Sequence, residues 1–173
     1  MSESYDLGPV ERITAGAVGE PGDRTFFVQA RAGAQQVTIL TEKDQVRALA
    51  EALGQLLTTL PDGDEGRAPA DAELELASPL EPAWRAGEMS VEYDDDSDRI
   101  AIVLTEMQEE DAPDIAGRAR FEATRAQVRA MVQHALAVVA AGRPRCQLCG
   151  FPMEAGGMHM CPAMNGHRSY RDE

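Results

Sequence analysis

The sequence predicts an α+β fold made of two βββα repeats. Their strands are expected to form a pseudo-dimeric antiparallel sheet or barrel with two helices, and a small C-terminal zinc-knuckle module follows. Three observations carry this prediction. Two β-favouring stretches each lead into an amphipathic helical stretch, and both of those stretches open on Gln-Val-Arg-Ala, at Gln45 and again at Gln127. A connector rich in Asp, Glu, Gly, Ala and Pro separates the two halves. All three cysteines and two of the three histidines crowd into the end of the chain. The implied organisation is a first unit over 9–61, a linker over 62–82, a second unit over 83–142 and a metal-binding tail over 143–173.

In order, the first six or so residues carry no pattern, and regular structure is expected to begin near Pro9-Val10. Val10 to Val18 reads as a first strand, closed by the turn signal Gly19-Glu20-Pro21-Gly22-Asp23. Arg24 to Ala32, with Thr25-Phe26-Phe27-Val28, reads as a second strand, and Gln36 to Leu40 as its return across Gly33-Ala34. A helix should follow with Thr41 as its N-cap and Glu42 and Asp44 in its first turn. Val46, Leu49, Leu53, Leu56, Leu57 and Leu60 give that helix one apolar face, and Pro61 ends it. Within the connector, Leu74, Leu76 and Leu80 are spaced to order its later part against the core. The second half repeats the order: a strand to Tyr93, a turn over Asp94 to Ser97, a strand to Leu104, an acidic loop over 109–117 and a short strand over 119–123. Thr124 and Gln127 form a capping box for the second helix, which places Val128, Met131, Val132, Ala135, Leu136 and Val139 on one face.

Composition narrows the function. A formal net charge of −14 sets the chain against anionic surfaces. Four arginines from position 143 onward (143, 145, 168 and 171) against Glu154, Asp172 and Glu173 make the tail slightly basic, at +1, so the rest carries −15. Nucleic-acid binding through the tail would be weak and lost steeply with salt. Neither a membrane-length apolar run nor a signal-peptide pattern is present, which predicts a cytoplasmic protein with reduced thiols. Asp94, Asp96 and Asp98 imitate the start of a calcium loop, but Arg99 and Thr105 occupy the positions that need glycine and a bidentate glutamate, so a hairpin turn is expected. His134 has no partner motif and reads as a half-buried helix residue.

The sharpest chemistry lies in the tail. Cys146-Gln147-Leu148-Cys149-Gly150 is a Cys-x-x-Cys turn that can present two sulfurs from one loop. The second turn begins at Cys161-Pro162, but Met164 stands where a ribbon-type site would have its second cysteine, and a neutral thioether is a poor zinc ligand. The predicted zinc ligands are therefore Cys146, Cys149, Cys161 and His159, with His167 the alternative to His159. A segment this small cannot bury a substrate unaided, so a closed structural Zn2+ site is expected rather than a catalytic one.

The chain resembles a family of uncharacterised actinobacterial proteins grouped as a domain of unknown function. The resemblance is carried by Pro9 to Gly22 with Arg24-Thr25-Phe26, by Thr41 to Val46, and by the tail with Cys146, Cys149, His159, Cys161-Pro162 and Asn165-Gly166. It implies no established activity. It does imply a pathway link to kinase-like and histidine-phosphatase-like proteins. Two functions follow. The favoured one is a non-catalytic zinc-binding adaptor that takes a protein partner or a small-molecule ligand. The alternative is an enzyme with its site in the groove between the repeats, drawing on Glu11, Glu42 or Glu122 with Arg12, Arg24 or Arg99.

Overall fold

The computed structural model of the protein describes residues 2–110, 115–142, 144–153 and 159–164, with the backbone of 168–169. Among the described residues it is an α+β structure with two open sheets of four and three strands, a two-stranded ribbon near the end of the chain, and three α-helices. Strands β2 (Arg12–Glu20), β3 (Asp23–Ala32) and β4 (Gln35–Thr41) form an antiparallel meander that leads into α1 (Lys43–Thr59). After the short helix α2 (Asp71–Leu74), strands β5 (Ala86–Asp94), β6 (Arg99–Glu106) and β7 (Arg118–Ala123) form a second meander that leads into α3 (Arg125–Ala140). The 109–117 loop between β6 and β7 lies partly outside the described residues.

Two expectations are corrected. The strands form neither one sheet nor a closed barrel: the order β1-β7-β6-β5 makes one sheet and β2-β3-β4 the other. At one corner the sheets are joined where the Leu40 N–H of β4 donates to Trp84 O, just ahead of β5, at 3.0 Å; the Val10 N–H, on the link from β1 to β2, extends the pairing with β7 by donating to Glu122 O at 2.9 Å. The start of the chain is also structured. β1 (Tyr5–Pro9) pairs in parallel with β7, Tyr5 opposite Ala119 and Pro9 opposite Glu122. A parallel partner more than a hundred residues away leaves no local signature in a five-residue stretch containing Gly8 and Pro9.

Alternation along the strands turns one face of each sheet to a shared core. Ile13, Val28, Ile39, Ile100, Ile102, Leu104 and Phe121 are buried there with Val46, Leu53, Val128 and Met131 from the helices. The two long helices pack on each other and each reaches the other half: α3 lies against α1 and β2, and α1 touches β5 more than β3. Neither meander with its helix would cover its own apolar face, which is why the core is continuous across the chain.

Helix starts differ in detail. Thr41 ends β4 on the core face, and Glu42, one residue later, is the N-cap of α1, with its backbone N–H donating to Gln45 Oε1 at 2.9 Å. At α3 the expected capping box forms: Thr124 Oγ1 accepts from the Gln127 N–H, and the Thr124 N–H donates to Gln127 Oε1. Thr124→Ala is expected to cost about 1 kcal/mol in a urea melt, with no change in the tail.

The connector is a strap across the outer face of the first sheet. Its short helix α2 is pinned by Glu73, whose carboxyl is held at about 2 chiefly by the Arg67 guanidinium, with the Ala70 N–H adding to it. Beneath the strap, Thr14, Gln29 and Thr38 stand side by side on neighbouring strands and are buried. Gly16 lets the strap lie close, since a Cβ there would sit 2.9 Å from Leu76 Cγ. Among the described residues, no helix is long and apolar enough to cross a membrane.

Candidate metal centre

The tail makes its own small core from Cys146, Met153 and Cys161, separate from the main one. Arg145 and Pro152 form an antiparallel bridge. The loop between them closes through Cys146 N–H to Phe151 O at 2.9 Å and Gly150 N–H to Cys146 O at 2.8 Å. Gly150 has a positive φ of 73°, a conformation that glycine takes without strain and that turns the chain back after Cys149. Opposite this loop, β8 (His159–Met160) pairs with β9 (Arg168–Ser169), and a 3-10 turn (Pro162–Met164) follows Cys161.

These two turns bring the four favoured residues together. One ligand atom from each of Cys146, Cys149, His159 and Cys161 lies within 4.8 Å of all the others, a cluster that could hold a metal ion. Cys146 and Cys161 are buried, while Cys149 and His159 are half-buried. The Cys146 and Cys161 sulfurs are 3.8 Å apart, and Cys149 Sγ lies 3.6 Å from His159 Nε2. Burial pushes the Cys149 thiol up, with the neighbouring thiols of Cys161 and Cys146 adding to it and the Phe151 N–H opposing. A cation at the centre would reverse this by favouring thiolates. Met164 is exposed and His167 lies outside the described residues.

Residues 5–161 match a family model described as a protein of unknown function, DUF3090. The chain belongs to that family. No curated protein and no solved structure matches it. The DUF3090 match stops at Cys161, the last of the clustered ligands, so the family segment contains the whole Cys3His cluster.

The charged residues proposed for a groove enzyme do not converge. Arg12 is buried beneath the strap, donating from Nε to Glu73 O and from Nη1 to Gln29 Oε1, and its burial lowers its pKa. Glu11 lies on the surface opposite Arg31, Glu122 pairs with Arg120, and Arg99 opens β6. Only Glu42 and Arg24 share a cleft, and Glu42 is paired with Arg85. Asp94 caps its own turn by accepting from the Asp96 N–H, and Asp98 turns away to Arg125, so this loop is a hairpin turn.

That cleft has little signature in the order of residues. It has a volume of 740 Å3, lies between α1, α3 and the tail, and is lined by the cations Arg24, Lys43, Arg47 and Arg145. The available signal was Lys43, the only lysine in the chain, placed in the first turn of a helix where the macrodipole disfavours a cation.

Proposed function

We propose that Cys146, Cys149, His159 and Cys161 are the ligands of one structural zinc ion, and that the protein is a non-catalytic binding protein whose metal-stapled tail forms part of its recognition surface. The observation that carries this is the spacing of the ligand atoms. A tetrahedral zinc with bonds of roughly 2.3 Å to sulfur and 2.0–2.1 Å to nitrogen has S···S edges of about 3.8 Å and S···N edges of about 3.6 Å. The Cys146–Cys161 and Cys149–His159 separations are 3.8 and 3.6 Å. Four protein ligands leave no open coordination position, which favours a structural over a catalytic ion.

The binding role draws support from the tail's surface, where Leu148 and Phe151 are 63% and 58% exposed on the Cys-x-x-Cys loop. Large apolar side chains held out by a rigid turn are suited to contact with a protein partner. The body is proposed to be two copies of one βββα unit, 9–61 and 83–142, joined by the 62–82 linker. Support comes from the recurring order of three antiparallel strands and a helix, with Gln-Val-Arg-Ala at both helix starts.

Elemental analysis of protein purified without chelator tests the metal assignment. One zinc per chain is expected in the wild type and in His167→Ala, with loss in Cys149→Ser and His159→Ala. No metal in the wild type, or zinc retained by His159→Ala and lost from His167→Ala, would overturn the ligand set.

A further inference from the structure

We infer that the cleft between α1, α3 and the tail binds a small phosphorylated organic molecule. This gives a ligand class to the binding role proposed above and does not depend on which metal the tail holds. The cleft's 740 Å3 falls within the range of small-molecule sites, about 300–1,000 Å3. In a chain of net charge −14, four of the sixteen basic residues line this one cavity, against Glu42 and Glu51. Glu42 is already neutralised by Arg85.

Arg47 is relieved by Asp44 at 2.7 Å, but Arg24 and Lys43 are crowded together with no ion pair of their own among the described residues. A Cβ placed on Gly142 would sit 3.2 Å from Lys43 Nζ and 3.7 Å from Arg24 Nη2, so these two charges are at most about 7 Å apart. Part of that repulsion is offset by the C-terminal end of α3, where Arg24 donates from Nη1 to Val138 O at 2.7 Å. Most of the hydrogen-bonding capacity is left over. A guanidinium carries five N–H donors, yet Arg24 uses Nη1 on Val138 O, Arg47 on Asp44, and Arg145 on Gly150 O. Lys43 makes no ion pair among the described residues. Guanidinium forks joined by a lysine point charge recognise phosphoryl oxygens, through several charge-assisted hydrogen bonds at once.

The rest of the wall identifies the ligand as more than free phosphate. Phe26, Leu136 and Val139 line the same cavity. Leu136 belongs to the apolar stripe of α3 yet is 41% exposed, because it faces this space instead of the core. An anion with an organic body satisfies both halves of the lining.

Calorimetric titration of the full chain with fructose 1,6-bisphosphate tests the inference, with fructose and citrate as controls and zinc content measured on the same samples. Saturable binding is expected for the bisphosphate and not for fructose, weakening as salt is raised. Lys43→Gln with Arg47→Gln, both on the solvent side of α1, should weaken it about ten-fold or more with an unchanged melting temperature, and Arg145→Ala should weaken it less. Citrate bound as tightly, binding untouched by the double substitution, or no saturable binding by the wild type below about 10 mM would each overturn the proposal. Failure in a sample carrying one zinc per chain leaves the metal centre standing. Binding in a sample without metal leaves the cleft standing and removes the zinc.

Discussion

Chelation of the proposed zinc is expected to unfold the tail while leaving the body folded. Hydrogen exchange across 144–153 and 159–164 should lose its protection, while β2–β4, β5–β7, α1 and α3 keep theirs. The asymmetry follows from where the apolar burial lies. The tail core contains Cys146, Met153 and Cys161 with Cys149 against it, and the main core contains none of them. Its strands β8 and β9 are two residues each. So small a core cannot offset the entropy of ordering its own loops, and segments of this size hold their shape by a metal or disulfide staple. Metal-binding free energy is then folding free energy, on the order of 10–16 kcal/mol at neutral pH for structural zinc in small modules. Cys161→Ser, at a side chain with no exposed surface, should reproduce the chelated state. Acidification should release the metal too, since the thiolates and the imidazole must be deprotonated to ligate, and protons compete for them as pH falls. If the chelated protein keeps full protection over 144–153, the sulfurs and the imidazole are held by packing alone and the staple is absent.

Local pattern was enough for most of the fold. Alternation fixed the six meander strands, because each has a core side lined by residues such as Val28, Ile39, Ile102 and Phe121. Three-four spacing fixed both long helices, and Thr124 with Gln127 fixed the start of α3. The first helix start was displaced by one residue because Thr41 belongs to β4, where its side chain packs on the core face. The Cys-x-x-Cys turn and His159 were legible as candidate ligands because a metal site concentrates rare residue types within a short span. What could not be read were the long-range facts. The parallel pairing of β1 with β7, the division into two sheets and the reach of each long helix into the other half depend on residues far apart in sequence. The cationic cleft was hidden for the same reason: Arg24, Lys43, Arg47 and Arg145 come from three separate segments, of which only the tail is basic, and that by a single charge.

The strap over the first sheet was the least legible element, and it yields the second large effect. Gln29→Ala is expected to lower unfolding free energy by about 3 kcal/mol or more, and to open 62–82 to proteolysis before the body melts. Gln29 has no exposed surface, and its amide satisfies four partners. Its Oε1 accepts from Arg12 Nη1 at 3.0 Å and from the Ala77 N–H at 2.8 Å, while its Nε2 donates to Thr38 Oγ1 at 2.9 Å and Ala77 O at 2.8 Å. Each such bond contributes only about 1 kcal/mol net, but removing the amide also strands buried donors and acceptors at about 1–3 kcal/mol apiece. Arg12 raises the stakes. Burial already lowers its pKa, and loss of Gln29 leaves its Nε contact with Glu73 O as the remaining hydrogen bond to the strap. Thr14→Ala, which removes one bond to Leu74 O, is the matched control and should cost about 1 kcal/mol. Urea melts of the two variants, with limited proteolysis at low denaturant, separate the outcomes. Equal small losses would mean that water satisfies this face and the strap merely rests on it. A large loss in Gln29→Ala alone, with early cleavage in the connector, would mean that the polar row is what binds the linker down.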